Sequence, residues 1–146
     1  MRNTRFAIAL GAALGCHAGA AQTPAEAAEP YRVECAAGAC RTDLATYIGW
    51  RVFQAQCATC HAADARGSSF APDLTERMRR MAQHDFVAAL DRGYLGENSS
   101  MPPRGRDPNV APYYDELWAY LAARRNGDLP AGPVERLPEK GAAAPN

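Results

Sequence analysis

Apolar side chains recur three or four residues apart in two long stretches of the chain, which is the spacing of one face of an α-helix. The first stretch covers residues 43–56; its face consists of Tyr47, Gly49, Trp50 and Phe53. The second covers residues 112–125; its face consists of Tyr114, Leu117, Trp118 and Leu121. The pattern therefore predicts two helices with packing faces, and the second should end where Asn126 and Gly127 follow.

Shorter helical stretches and turn residues lie between these two helices. One helix is predicted over residues 74–81 and another over residues 84–92, where Gly93 is placed to end it. Residues 93–110 are rich in glycine and proline and are predicted to form a loop. Strand signals are confined to a possible hairpin at residues 31–41. The sequence therefore predicts an all-α fold.

The N-terminal residues have the pattern of a cleaved secretory signal. Arg2 and Arg5 precede an apolar stretch at residues 6–14 that is too short to span a bilayer. Small residues at positions 18–20 then predict a signal peptide over residues 1–20 and export to the periplasm. A weaker alternative is a lipoprotein cleavage box that ends at Cys16. Beyond the signal, no stretch is apolar for long enough to cross a membrane.

Composition divides the rest of the chain into three parts. Residues 21–30 are predicted to be a disordered leader and residues 131–146 a flexible tail, because both are rich in alanine, proline and glutamate and poor in bulky apolar residues. Residues 31–130 form a single predicted domain. A domain of this size is marginally stable on its own core, so a covalently held cofactor would add an apolar centre.

Charge and cysteine content narrow the possible function. The chain has 16 basic and 16 acidic residues, so loss of Arg2 and Arg5 with the signal leaves a net charge of −2. Such a small net charge gives no case for nucleic-acid binding. Of the five cysteines, Cys16 leaves with the signal, and the other four should be paired or bonded in an oxidising compartment.

Residues 57–61, with the sequence CATCH, form the C-x-x-C-H pattern of covalent haem attachment. The thiols of Cys57 and Cys60 can each bond to a vinyl group of the same haem, and His61 is then held where its Nε2 can ligate the iron. The alternatives are a redox dithiol, an ordinary Cys57–Cys60 disulfide, and a zinc site completed by Cys35 and Cys40. Because a thioredoxin-like dithiol needs a βαβ pattern that is missing here, the motif favours haem c.

Met101 is the predicted sixth ligand of the iron. It lies in the long loop before Pro102 and Pro103, which would stiffen that loop. A thioether is a soft ligand, and His/Met ligation raises the reduction potential. The competing ligands are Met78, Met81 and His84, which the pattern assigns to helices; Met101 could also be an ordinary loop residue.

Two further contacts are expected near the haem motif. The backbone carbonyl of Pro72 is the candidate acceptor for the second ring nitrogen of His61, although Pro72 could also simply begin a helix. Cys35 and Cys40 flank a short turn that contains Gly38, and a disulfide between them would contribute roughly 2 kcal/mol. Metal binding by these two cysteines is the alternative.

The two long helices resemble the first and last helices of class I cytochrome c. The spacing from Gly49 through Phe53 to the motif at 57–61 is similar to the helix that leads into the haem site of that family. Residues 117–121, with the sequence LWAYL, resemble its last helix. The resemblance implies that the two helices cross near Gly49 and Phe53.

The haem-binding segments carry the same resemblance, which covers residues 43–125. Residues 71–74 (APDL) resemble the segment whose proline carbonyl holds the axial histidine, and Met101 followed by proline resembles the distal ligand. The family often has glycines shortly after the histidine, whereas this chain has Ala62 and Ala65. The resemblance implies a class I cytochrome c fold around one covalent haem.

A narrower resemblance points to the cytochromes c that accept electrons from pyrroloquinoline-quinone (PQQ) alcohol and methanol dehydrogenases. The segments that carry it are residues 46–51, 69–72, 107–110 and 115–121, and the paired Cys35 and Cys40 fit it too. It implies a periplasmic electron carrier, not an enzyme, with a quinoprotein dehydrogenase as donor and a downstream cytochrome or terminal oxidase as acceptor. Docking is expected at the haem edge, near residues 57–60 and 99–104. Arg66, Arg104 and Arg106 are candidate contacts, and the alternative for each is an ordinary solvated side chain.

Two other functions stay open from the sequence. A haem enzyme or gas sensor would need a sixth ligand that other molecules can displace. A fixed cytochrome subunit of a larger redox complex would need a permanent partner.

Overall fold

The computed structural model describes residues 28–96 and 100–138 of the chain. The predicted signal at residues 1–20, residues 21–27 of the predicted leader and residues 139–146 of the predicted tail lie outside the described residues. Within the described ranges, none of the helices is both long enough and apolar enough to cross a bilayer.

In the described part of the chain the helices are α1 (Leu44–Gln56), α2 (Ala58–His61), α3 (Leu74–Arg77), α4 (Gln83–Arg92) and α5 (Tyr114–Asn126). All four predicted helices are present. The predicted helix at 74–81 is one α-helical turn, α3, that continues into a 3₁₀ turn at Met78–Arg80, and a second 3₁₀ turn at Ala111–Tyr113 leads into α5. The short α2 was not predicted; it carries the end of the haem motif.

Aspartates cap two of these helices. Asp43 precedes α1, and its carboxylate accepts a hydrogen bond from the backbone N–H of Thr46 at 2.9 Å. Asp73 precedes α3 and accepts from the N–H of Glu76 at 3.1 Å and from the hydroxyl of Thr75 at 2.6 Å. The hydroxyl bond from Thr75 is the main reason why the pKa of Asp73 lies below its usual value. Because Asp73 adjoins Pro72, this cap also fixes the backbone beside that proline.

Helices α1 and α5 cross at Gly49, as the resemblance implied. A Cβ atom at Gly49 would lie 1.9 Å from the carbonyl oxygen of Glu116, so only glycine lets the helices approach this closely. The rings of Phe53 and Tyr120 pack beside the crossing with centroids 5.2 Å apart. Phe53 and Leu117 are both fully buried there. The crossing therefore forms the centre of the core and supports the end of α1 that leads into Cys57.

Short strands correct the expectation of an all-α fold. The predicted hairpin at residues 31–41 is present as antiparallel β1 (Val33–Ala36) and β2 (Ala39–Thr42). A second antiparallel pair, β3 (Tyr94–Leu95) and β4 (Ser100–Met101), lies inside the predicted loop at 93–110. Strands of this length have too few residues to show a periodic pattern, which is why the sequence did not reveal the second pair.

The packed domain also extends beyond the predicted boundary at residue 130. Strand β5 (Glu135–Arg136) pairs in parallel with β2, and the N–H of Leu137 donates to the carbonyl oxygen of Thr42 at 2.8 Å. Val134 and Leu137 are buried on either side of this strand. The first part of the predicted flexible tail is therefore the third strand of a small sheet.

The disulfide between Cys35 and Cys40 is confirmed. The two residues are directly paired across β1 and β2, with their sulfur atoms bonded at 2.03 Å. Gly38 allows the turn between the strands, with φ of +82°. The disulfide therefore closes the predicted hairpin and excludes these cysteines from a metal site.

Candidate functional site

A cavity of about 540 Å³ lies beside the crossing of α1 and α5. Segments 70–81, 86–94 and 100–104 complete its walls. Most of its lining is apolar, with Phe53, Leu74, Leu90, Leu117 and Leu121 among the contributors. The cavity has the size and apolar character of a cofactor site.

Cys57 and Cys60 line this cavity at the junction of α1 and α2. The N–H groups of Cys60 and His61 both donate to the carbonyl oxygen of Cys57, at 3.1 and 2.9 Å. The residues of the motif therefore form a single hydrogen-bonded turn. The two thiols are not joined to each other. Burial, the largest cause, raises the pKa of Cys57 to about 11, whereas a reactive dithiol needs a lowered pKa. The site is therefore unlike a thioredoxin dithiol and leaves two free thiols for thioether bonds.

A zinc site has no support in the same region. Residues 28–96 and 100–138 contain no cluster of three or more histidine, cysteine, aspartate or glutamate side chains that could hold a metal ion. Structural zinc needs four such ligands, and Cys35 and Cys40 are already joined. The donor set at the cavity is two thiols, one imidazole and thioethers, which fits covalent haem rather than zinc.

His61 lines the cavity with its ring orientation fixed. Its Nδ1 lies 3.1 Å from the carbonyl oxygen of Pro72, the contact that the sequence analysis expected. A carbonyl oxygen can only accept, so Nδ1 carries the proton and Nε2 keeps a free lone pair. The chain therefore presents the nitrogen that an axial ligand requires.

A tight loop brings Pro72 back to His61. The N–H of Gly67 donates to the carbonyl oxygen of His61 at 2.9 Å. A Cβ atom at Gly67 would lie 2.6 Å from the carbonyl carbon of Pro72, so the loop closes onto that residue. The contact between His61 and Pro72 thus depends on a glycine that the sequence analysis did not single out.

Ala62 and Ala65, which stand where the family often has glycines, adopt backbone conformations that favour glycine. Their φ angles are +60° and +61°, a region that L-residues other than glycine enter at a cost of about 1–2 kcal/mol. The N–H of Ala65 donates to the carbonyl oxygen of Ala62, and the N–H of Leu74 donates to that of Ala65. The loop therefore forms these turns with alanines at both positions.

Met101 lies in β4 and lines the cavity. It pairs with Tyr94 across the strands. Gly93 packs against the same segment, since a Cβ atom there would lie 2.4 Å from the carbonyl oxygen of Met101. Gly93 both ends α4, as predicted, and fixes the backbone at Met101.

The competing ligands differ in position. Met78 and Met81 also line the cavity, but Met78 is part of the core at 1% exposure, and its carbonyl accepts from Arg125 at 3.4 Å. His84 does not line the cavity; its Nε2 is 3.1 Å from the carboxylate of Asp85. The thioethers of Met78, Met81 and Met101 thus all reach one cavity.

The candidate docking arginines also separate into two groups. Arg66 and Arg106 are exposed. Arg104 lines the cavity, and its guanidinium pairs with the carboxylate of Asp107 at 2.9 Å. Arg104 is therefore part of the cavity wall rather than a free surface charge.

Three further residues, Phe70, Arg77 and Tyr94, also line the cavity. The sequence analysis did not identify them, because no local pattern marks a residue that faces a cofactor.

Comparison with known proteins supports the same identification. A family model described as "Cytochrome C oxidase, cbb3-type, subunit III" matches residues 43–121, from the cap of α1 into α5. The crystal structure of the c-type cytochrome XoxG from Methylobacterium extorquens AM1 is similar, with a TM-score of 0.58 and 33% identity. That similarity covers 70% of this chain and 71% of the other.

Two curated cytochromes are similar in sequence. Cytochrome c-555 of Methylococcus capsulatus is 33% identical over 95 residues, which is 64% of this chain and 74% of that protein. Cytochrome c-553I of Paracoccus denitrificans is 39% identical over 99 residues, which is 64% of this chain and 44% of that protein. This chain therefore spans less than half the length of cytochrome c-553I. Together with the motif at 57–61 and the cavity, these similarities show that the chain belongs to the class I c-type cytochromes, with covalently bound haem c as its cofactor.

Proposed function

We propose that the protein is a single-electron carrier whose iron is ligated by His61 and Met101. The observation that carries the proposal is that both side chains line one largely apolar cavity, on separate segments of the chain. With both side chains bound to its iron, haem c would be suited to outer-sphere electron transfer and would offer no open site to a substrate. Haem c supplies the reversible one-electron chemistry, and the chain supplies binding, orientation and electrostatics.

Each site residue has a defined role in this proposal. Cys57 and Cys60 hold the cofactor by thioether bonds. The carbonyl of Pro72 keeps the proton on Nδ1 of His61, so Nε2 can act as the ligand. Met101 supplies the soft second ligand, which raises the potential. The buried side chains of Phe53 and Leu117 keep water away from the cavity.

The proposed donor is a PQQ-dependent alcohol dehydrogenase in the periplasm, and the proposed acceptor is a downstream cytochrome or terminal oxidase. Support comes from the resemblance of the short segments at 46–51, 69–72, 107–110 and 115–121 to cytochromes that serve such dehydrogenases. A quinoprotein that oxidises an alcohol releases two electrons, so it needs a one-electron acceptor twice. Export by the predicted signal at residues 1–20 would bring the carrier to the same compartment.

Reduction by a purified PQQ-dependent alcohol dehydrogenase from the same organism tests this function. We expect direct reduction with a rate that falls as salt increases, because exposed charges such as Arg66 and Arg106 steer association. Arg66→Gln and Arg106→Gln should slow reduction at low salt. Arg41→Gln is the control, because Arg41 lies on the disulfide-closed sheet and pairs with Glu135. If no such dehydrogenase reduces the holoprotein at any ionic strength, the donor is wrong.

A second candidate is a fixed subunit of a larger redox complex. It is favoured by the description of the matching family model, which names a subunit of an oxidase. Gel filtration of the holoprotein from its native membrane and soluble fractions distinguishes the free carrier from the fixed subunit. A free monomer supports the carrier, whereas constant co-elution with oxidase subunits supports the subunit.

A further inference from the structure

The loop that follows His61 has a hydrogen bond at each carbonyl oxygen from residue 61 to residue 65. The bonds at residues 61, 62 and 65 come from backbone N–H groups within residues 65–74. The other two come from side chains of the two crossing helices. Gln54 of α1 donates to the carbonyl oxygen of Ala63 at 2.8 Å, and Arg124 of α5 donates to that of Asp64 at 2.7 Å. Helices α1 and α5 therefore both hold the loop at its centre.

Arg124 is committed to backbone carbonyl groups. One Nη atom binds Asp64, the other donates to the carbonyl oxygen of Leu129 at 2.6 Å, and Nε is buried. Leu129 is itself fixed, since it is 1% exposed and its N–H donates to the carbonyl oxygen of Ala123 at 3.2 Å. None of the ion pairs between the described residues includes Arg124. Its two charge-assisted hydrogen bonds thus join the loop to the end of α5.

The two held carbonyl groups lie between the residues with positive φ. Ala62 and Ala65, at +60° and +61°, are on either side of them. An alanine in this region is strained, so it keeps its conformation only when the surrounding structure holds it there. The bonds from Gln54 and Arg124 are placed to do this, because they fix the two residues between the strained positions.

The same loop sets the position of the contact between His61 and Pro72. The N–H of Leu74 donates to the carbonyl oxygen of Ala65 at 2.9 Å, so the segment that contains Pro72 is bonded directly to the strained turn. The carbonyl oxygen of Pro72 is 3.1 Å from Nδ1 of His61. A displacement of Ala65 should therefore move the acceptor away from the imidazole ring.

We propose that Gln54 and Arg124 are positioning residues, which hold the carbonyl of Pro72 against His61 and so help to set the reduction potential of the iron. This inference rests on the part of the proposed function in which His61 ligates the iron, and not on the sixth ligand or the donor. A hydrogen bond from Nδ1 makes Nε2 more basic, which favours ferric iron. Loss of either side-chain bond should therefore raise the potential.

Gln54→Met tests the proposal, because it removes the donor and keeps the charge and a similar side-chain length. Its bond to Ala63 is at the surface, so the variant should fold. We expect a higher midpoint potential than wild type in spectroelectrochemical titration of the purified holoprotein at neutral pH. Hydrogen exchange of the Nδ1–H of His61, followed by NMR, should be about fivefold faster, the factor expected from one ordinary hydrogen bond.

Arg124→Lys is the second test. Lysine keeps the positive charge but lacks the planar set of donors that reaches two carbonyl groups at once. The potential should again rise, and the change in charge that would complicate a neutral substitution is avoided.

Two control variants make the result specific. Nε2 of Gln83 donates to the carboxylate of Asp115 at 2.8 Å, so Gln83→Met removes the same kind of bond at a site that does not line the cavity. Ala45→Gly weakens the exposed face of α1 without removing a bond to the loop. Both control variants should have the wild-type potential.

Wild-type potentials in both Gln54→Met and Arg124→Lys would overturn the proposal, as would an equal shift in the controls. Faster exchange of the backbone N–H groups of the loop with an unchanged potential would also overturn it, because the contacts would then only stabilise the fold. Haem-shifted NMR resonances of the His61 ring in wild type check the ligation itself. Their absence would overturn this inference together with the proposed function, whereas their presence with unchanged potentials would overturn this inference alone.

Discussion

Two parts of the protein hold the haem cavity in different ways. At the crossing of α1 and α5, Gly49 meets the backbone of Glu116, and buried aromatic side chains fill the space beside it. On the far wall, Met101 lies in a strand of two residues whose partner, β3, has Tyr94 57% and Leu95 88% exposed. The crossing is a packed core, whereas the Met101 wall depends on a few backbone contacts at Gly93.

This difference should separate the stability of the fold from the proposed ligation of the iron by Met101. The crossing supports the end of α1 that leads into Cys57 and His61, so damage there should unfold the domain. The Met101 wall buries little surface, so damage there should change the sixth ligand and leave the domain folded.

Gly49→Ala should have the largest effect on stability. Helix propensity alone would make alanine better by about 1 kcal/mol. The clash with the carbonyl of Glu116 should instead lower the free energy of unfolding by about 3 kcal/mol. Chemical denaturation of the holoprotein measures this change. Gly38→Ala is the comparison: it introduces an unfavourable positive φ but no clash within 4 Å, so it should cost only about 1 kcal/mol. A stabilised Gly49→Ala variant would contradict the close crossing.

Gly93→Ala should act on the other wall. Its Cβ would meet the backbone of Met101, Pro102 and Pro103, so Met101 should be displaced while the helices stay folded. We expect loss of the spectroscopic signature of methionine ligation with far-UV circular dichroism unchanged. Gly127→Ala is a close control, since Gly127 also ends a helix with positive φ but has open space around it. Equal spectra for both variants would show that Gly93 does not hold Met101.

Removal of the Cys35–Cys40 disulfide should have a smaller effect. The double variant Cys35→Ser/Cys40→Ser should lose about 2 kcal/mol of unfolding free energy, because the closed loop is short. The haem spectrum should be unchanged, since neither cysteine lines the cavity. Arg41→Gln on the same sheet breaks only an exposed ion pair and should cost less than about 1 kcal/mol. A collapsed haem spectrum in the double variant would contradict this separation.

Ala62→Gly should have the smallest effect and the opposite sign. Its φ of +60° and ψ of 157° lie in a region that glycine occupies freely, so the variant should gain about 1 kcal/mol. Ala45→Gly, in the exposed face of α1, should lose about 1 kcal/mol instead. Thermal denaturation of the two variants shows whether each substitution raises or lowers the stability of the protein. Destabilisation by Ala62→Gly would show that the loop follows another path.

The same contrast explains what the sequence could predict. Helices α1 and α5 have long apolar stripes, and the hairpin closed by Cys35 and Cys40 has a turn residue between paired cysteines, so local patterns identified them. The contact between His61 and Pro72 could be anticipated because both belong to recognisable motifs.

The missed features depend on contacts between distant parts of the chain. The pairing of β3 with β4 and of β5 with β2 involves strands of two residues, which have no period to read. The positive φ angles of Ala62 and Ala65 follow from loop closure and not from residue type. The position of the exposed Arg77 at the edge of the cavity could not be predicted from the sequence either. A charged residue in a short helix normally indicates a solvated face.

The sixth ligand of the iron is the feature that most directly tests the proposed electron-carrier function. Oxidised wild-type protein should show the weak near-infrared band of methionine-to-iron charge transfer, and the reduced protein should not bind carbon monoxide rapidly. Met101→Ala should abolish the band, lower the potential and admit carbon monoxide, because it removes the proposed thioether ligand of the iron. Met81→Ala is the control from the same cavity and should keep the band. A band that survives in Met101→Ala would assign the ligand to another residue. If the wild-type protein lacks the band and binds carbon monoxide rapidly, the proposed electron-carrier function is wrong and an enzyme or gas sensor is favoured.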